Sequence, residues 1–172
     1  ASGYPTLAVH GALIYALLGH PAQAEMWTAG AERATRPVST SDGSSPESLL
    51  AYLRAFLCRD GIKAMRADAI LSNEGLGLTS PYRASMLLAE GVSYLLENQP
   101  DPASARLARA LDAALAIGAD PVAAYVLANQ GVIAAERNDW ADATDICERA
   151  LSLLAAGTYD EYWTSALVFA FA

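Results

Sequence analysis

Apolar residues, Ala and Leu above all, are spread evenly along the chain and are interrupted at intervals by proline and small polar residues. β-Branched and aromatic residues, which strands favour, are comparatively few, so the pattern leans helical. Ser45-Pro46, Ser80-Pro81, Asp101-Pro102 and Asp120-Pro121 each read as an N-cap residue followed by proline at the first helical position. There the cap oxygen accepts an orphan N–H, and proline lacks the donor that would go unpaired. Gly19, Gly43, Gly61, Gly75, Gly118 and Gly157 fall at or near the opposite ends, where a left-handed residue closes a helix. Between these marks the sequence predicts nine helices, over 5–18, 21–34, 46–59, 62–73, 81–97, 102–117, 121–137, 140–155 and 159–171. Most links are short, which forces successive helices to lie antiparallel. The exception is the stretch from Thr35 to Ser45, with its Ser/Thr/Gly-rich run Ser39 to Ser45, read as a flexible surface loop.

A shift of 40 residues lays the stretch beginning at Pro81 upon itself without a gap. Pro81 falls on Pro121, Ala84 on Ala124, Leu87 on Leu127, Gly91 on Gly131 and Val92 on Val132. Further on, Asn98 meets Asn138, Ala103 meets Ala143, Arg109 meets Arg149, Ala110 meets Ala150 and Leu111 meets Leu151. The matched residues are mostly small or apolar, as the contact face of a helix hairpin requires, and Gly91 and Gly131 would let paired helices approach closely. Self-similarity of this length at a fixed period is the signature of a helical solenoid.

Within each unit the matched residues resemble the tetratricopeptide pattern. Gly91, Tyr94, Ala103, Leu107 and Ala110 sit where that family places its small, Tyr and Ala positions; Gly131, Ala143, Cys147 and Ala150 repeat the set, with Ala134 in place of the tyrosine. Ala12, Tyr15, Ala24 and Ala31 give the first unit, and the second, 46–73, is shorter and degenerate. The period of 40 exceeds the family's usual ~34, so the units are lengthened. The resemblance implies a right-handed α-α superhelix of about four antiparallel helix pairs plus a terminal helix. Its repeats would cover 5–34, 46–73, 81–117 and 121–155, with a final helix at 159–171, in one domain spanning 1–172. It also implies that first helices line a groove, to which Ser85, Tyr125 and Asn129, with Tyr52 and Arg83, would contribute contacts for a ligand or partner.

Four phrases carry a more specific likeness. They are Leu17-Leu18-Gly19-His20-Pro21-Ala22-Gln23-Ala24-Glu25-Met26-Trp27, Leu53-Arg54-Ala55-Phe56-Leu57-Cys58-Arg59-Asp60-Gly61, Met65-Arg66-Ala67-Asp68 and Thr79-Ser80-Pro81-Tyr82-Arg83. In this order they resemble the central tetratricopeptide-like region of large MalT-like, LuxR-type ATP-dependent bacterial transcriptional regulators. Such regulators join a P-loop ATPase, a helical-repeat sensor and a helix-turn-helix. The likeness implies a cytoplasmic, non-catalytic middle domain of a larger protein. It would bind a protein or small-molecule effector and pass that state to the parent's ATPase and DNA-binding domains. The alternative is a free-standing tetratricopeptide adaptor that binds a peptide or protein.

Composition narrows the functions open to such a chain. With 172 residues, 53% hydrophobic and 17% charged, it is long enough to bury a sizeable core. A net charge of −8, with Lys63 as the only lysine and the arginines dispersed, argues against gripping a phosphate backbone. No G-x-x-x-x-G-K-[ST] phosphate loop is present, since Gly75-Leu76-Gly77 lacks both the lysine and the hydroxyl. Apolar stretches are broken by Gly, His or Glu, so no transmembrane segment is indicated.

Candidate chemistry is sparse. His10 and His20 have no carboxylate or thiol at metal spacing, and Cys58 and Cys147 read as small buried apolar residues. Asp139, Asp142, Asp145 and Glu148 read as a solvated stripe favoured by the helix dipole. Tyr15, Tyr94, Trp27 and Trp140 read as packing residues. No nucleophile–base–acid set appears, so neither an enzyme, a metal nor a cofactor is expected. The last predicted helix presents Tyr162, Trp163, Leu167 and Phe169, an apolar face expected to meet another copy of the chain.

Overall fold

The structure is a computed structural model that describes residues 5–33, 43–157 and 168–170. The chain is all-α, a helical repeat whose helices pack in adjacent pairs. Eight helices occur among the described residues: α1 Pro5–Leu17, α2 Pro21–Glu32, α3 Pro46–Leu57, α4 Ile62–Gly75, α5 Arg83–Leu96, α6 Pro100–Ala116, α7 Asp120–Glu136 and α8 Trp140–Ala156. Every boundary falls within two residues of its expected place. Of the ninth helix only Val168, Phe169 and Ala170 are described, and they are helical. The chain divides into two compact units, 1–86 and 87–172.

In the first unit α1 packs on α2, α3 on α4, and α3 also against α1. Ala8, Val9, Ala12 and Leu13 of α1 and Leu49, Leu53 and Ala55 of α3 form the buried faces, recurring at helical spacing. In the second unit one cluster joins Leu87 and Leu88 to Leu107, Val126 and Ile133, and another joins Leu127 to Leu154 and Val168. Helix α7 serves both, which explains why it is apolar on nearly all sides, with nine of its residues from Ala123 to Ala134 buried.

One link is built four times. Gly19, Asn98, Gly118 and Asn138 adopt left-handed φ values of 73, 57, 67 and 61° and close α1, α5, α6 and α7. The following N–H reaches five residues back in each case: His20 to Tyr15 (2.8 Å), Gln99 to Tyr94 (2.9 Å), Ala119 to Ala114 (2.9 Å) and Asp139 to Ala134 (3.0 Å). This is a Schellman closure, and its last residue doubles as the N-cap of the next helix. These N-caps share nearly one conformation, with ψ of 73, 74, 63 and 74°. Asparagine tolerates the left-handed region better than other side chains, which accounts for Asn98 and Asn138.

The same links correct the expected caps. Helices α6 and α7 begin at Pro100 and Asp120, so Asp101 and Asp120 lie in the first turn beside the helix dipole instead of capping it. Helix α5 begins two residues after Pro81. Ser45 does act as predicted, its hydroxyl accepting the Ser48 N–H at 3.1 Å. Asp139 caps α8 through Asp142 N–H at 3.2 Å.

Paired helices approach through glycine at a constant offset. A Cβ on Gly91 would stand 2.9 Å from Leu107 Cδ2, one on Gly131 2.7 Å from Cys147 Sγ, and one on Gly11 2.6 Å from Trp27 Cε3. All three partners lie 16 residues downstream (107 − 91, 147 − 131, 27 − 11). The first helix thus yields a Cβ's worth of space to one side chain of the second, in three of the pairs.

Candidate functional site

Three of the expected groove residues belong to the first unit and gather where α1, α3 and the start of α5 meet. The His10 ring donates from Nδ1 to the Thr6 carbonyl at 2.8 Å. In the neutral ring that leaves Nε2 to accept the Tyr82 hydroxyl. Tyr82 packs against Tyr52 with ring centroids 4.8 Å apart, and Tyr52 stacks on Phe56. Tyr52 and Ser85 share a side-chain hydrogen bond. Arg83 donates to the Asn73 carbonyl at 3.1 Å. Sequence reasoning placed Tyr52, Arg83 and Ser85 together but gave no role to Tyr82 or to His10 as its partner. A contact 72 residues apart in the chain has no local signal.

Burial raises the Tyr52 pKa above its usual 10.0; the neighbouring Tyr82 adds to the shift and the Ser85 hydrogen bond opposes it. Because the folded value lies above the unfolded one, the associated stability is fully present below pH 10.0 and is lost as pH rises further. Thermal melts at about pH 8 and about pH 11 are therefore expected to show a smaller alkaline loss for Tyr52→Phe than for the native chain. An equal loss in both would remove Tyr52 from the account.

Tyr125 and Asn129 lie on α7 in the second unit. Tyr125 is half-buried, packs against both core clusters and has its pKa raised by burial. Asn129 is buried, and its amide donates to the Tyr125 carbonyl at 2.8 Å. Of the self-association residues, Tyr162, Trp163 and Leu167 lie outside the described residues; Phe169 is 50% exposed beside the buried Val168.

Three of the phrases that carried the family likeness meet one another in the first unit. Glu25 and Glu32 of α2 pair with Arg59 at 2.6 and 3.3 Å, and Asp68 of α4 receives both Nε and Nη2 of Arg54 at 2.9 and 2.6 Å. Their order in the chain thus reflects helix-to-helix contact. The exposed Arg59 pairs contribute about 0–1 kcal/mol each, whereas the Arg54–Asp68 pair is partly buried.

Other candidates are accounted for structurally. The His20 ring lies edge-on to Tyr15, 6.3 Å away, completing the side-chain contact of the first Schellman closure. Trp27 covers Gly11 and stacks on Tyr15, as expected of a packing residue. Trp140 differs from the packing role expected of it: it is the first residue of α8 and is 65% exposed. Cys58 is only partly buried, since it occupies the left-handed C-cap of α3 (φ 47°) instead of a core position. Cys147 is buried and its thiol pKa is raised by that burial, which disfavours the reactive thiolate. Among the described residues no three or more His, Cys, Asp or Glu side chains converge on a metal position, and no helix is long and apolar enough to cross a membrane.

Sequence reasoning passed over Glu90. Its carboxylate is buried on α5, and Arg106 Nε of α6 stands 2.8 Å from its Oε1 as an ion pair, without the geometry of a hydrogen bond. A glutamate among apolar positions carries no signal until the facing arginine is placed. Comparison with known proteins returns no matching family model, no similar curated protein and no similar solved structure.

Proposed function

We propose that the chain is a non-catalytic sensor or partner-binding domain, the helical-repeat region of a MalT-like, LuxR-type transcriptional regulator. The observation that carries the reading is the repetition itself. Links recur through the chain, and in the second unit left-handed asparagines and glycine approaches recur 40 residues apart. Such construction suits a scaffold that displays a surface, since a solenoid conserves the packing of its hairpins and varies their outward faces. The four phrases of the likeness support the regulator over other repeat proteins through their order, and the first three also touch one another.

A thermal-shift screen of the domain against small sugars, other metabolites and peptides tests this. The regulator reading expects at least one small metabolite to raise Tm in a concentration-dependent way, by mass action on the folded state. Stabilisation by peptides alone would select the free-standing adaptor. Turnover of any compound, abolished by a single side-chain change, would contradict both.

A further inference from the structure

In the second unit a groove of about 610 Å³ runs between α6 and α8, over Leu127 of α7. It opens between second helices, whereas the resemblance pointed to first helices. Leu111, Leu115 and Leu153 form its apolar walls, and Leu115 is 49% exposed. Along its rim, α8 supplies Asp145, Glu148 and Arg149, all exposed and none in an ion pair among the described residues. Asp145, Glu148, Ser152 and Leu153 recur at helical spacing. The stripe is distinct from the small buried face of Ala143, Cys147, Ala150 and Leu154. Helix α8 is therefore amphipathic twice over, with one face spent on α7 and a second facing the groove.

The internal repeat shows that the carboxylates of the second face are not part of the scaffold. The 40-residue shift pairs the buried residues Ala143 and Ala150 with Ala103 and Ala110. The same shift pairs Asp145 with Ala105, Glu148 with Ala108 and Leu153 with Ala113. Two carboxylates and a leucine thus stand at one copy of positions that hairpin packing satisfies with alanine. Leu153 packs partly on the cluster of Leu127 and Leu154, whereas the exposed Asp145 and Glu148 serve no hairpin contact.

We propose that this groove docks an amphipathic helix of a partner protein, its apolar side chains against Leu111, Leu115 and Leu153 and its basic residues against Asp145 and Glu148. Charge complementarity selects the occupant: the rim is acid-rich on a chain of net charge −8, and its carboxylates have no internal partner among the described residues. From Asp145 to Leu153 the lined stretch of α8 is about 12 Å long, which matches about two turns of a docked helix. Apolar anchors at i and i+4 with charged flanks are the usual grammar of helix-in-groove recognition. The proposal rests on the partner-binding reading and goes further by naming the surface and the chemistry of the partner.

The test uses the full chain and a fluorescein-labelled Leu/Lys amphipathic peptide of about 14 residues, with a Leu/Glu counterpart. Fluorescence anisotropy is expected to show binding of the Lys peptide. The double reversal Asp145→Lys with Glu148→Lys should weaken it by at least about tenfold and strengthen the Glu peptide. Reversal of the exposed Glu47 and Asp60 in the first unit should change it by less than about twofold. Circular dichroism melts verify that the variants, all at exposed sites, remain folded. Equal losses from both reversals would mean general attraction to an acidic chain and would overturn the groove while leaving the partner-binding reading intact. A native chain that ignores the Lys peptide would overturn the proposal as well. So would self-association, measured by sedimentation, that Leu115→Asp abolishes, because the occupant would then be a second copy.

Discussion

Leu107→Ala is expected to destabilise the second unit by about 2–5 kcal/mol, read from urea denaturation. Leu107 is fully buried at the centre of the cluster formed by α5, α6 and α7, so truncation loses transfer free energy and leaves a void that the surrounding helices only partly close. The distinctive expectation concerns its partner. Gly91→Ala alone brings a Cβ to 2.9 Å from two Leu107 carbons and 3.4 Å from its backbone nitrogen, overpacking that costs about 1–3 kcal/mol. In the Leu107→Ala background the new methyl has room and fills part of the void. The double variant should be less destabilised than the sum of the singles, with a coupling of about 0.5–3 kcal/mol. Strict additivity would mean that the two helices do not meet at this position.

The second large effect concerns the ion pair across the same helix pair. Arg106→Ala leaves the Glu90 carboxylate, 3% exposed, without its guanidinium. Breaking a buried pair from one side costs about 3–5 kcal/mol, and the 35% exposure of the arginine side chain places this case near the lower end, about 3 kcal/mol. Adding Glu90→Gln removes the stranded charge and is expected to recover more than half of that loss. An Arg106→Ala variant as stable as the native chain would show that water already solvates Glu90. The second copy carries Gln130 and Ile146 at the equivalent positions, so no matching variant there should have a comparable effect.

Much of the fold was legible in the sequence because it is written in local chemistry. Proline and glycine punctuate the helices, and the 40-residue self-match gives their pairing, since contact faces must be small or apolar wherever two helices cross. The cap register was not legible. Asp101-Pro102 and Asp120-Pro121 read as cap signals, yet the closure of the preceding helix fixes where the next one starts, making Gln99 and Ala119 the N-caps. Asn98 and Asn138 were visible as a matched pair without their left-handed role, because asparagine is also an ordinary polar residue of a link. The Gly11–Trp27 approach escaped notice, since the first unit follows the pattern only loosely and its glycine lies one residue before Ala12, which holds the small position of the pattern.

The candidate site was less legible for a different reason. Tyr52, Arg83 and Ser85 come together in the first unit, but what organises them, Tyr82 and the distant His10, depends on packing of α1 against α3 that no periodicity encodes. Conversely, Asn129 looked available for contact and proves to be bonded to its own helix through the Tyr125 carbonyl. The acidic stripe on α8 was visible as charge at helical spacing. Its relation to Leu111 and Leu115 requires α6 to lie alongside, which only the structure supplies.

The claim that everything else depends on is the equivalence of the two hairpins α5–α6 and α7–α8. A crystal structure of the chain, with one hairpin superimposed on the other after a 40-residue shift, measures it directly. The account predicts that Gly91 falls on Gly131 and Leu107 on Cys147. Asn98 should fall on Asn138 with both asparagines at positive φ. Hairpins that superimpose only with a different offset, or an asparagine found in the right-handed region, would contradict it.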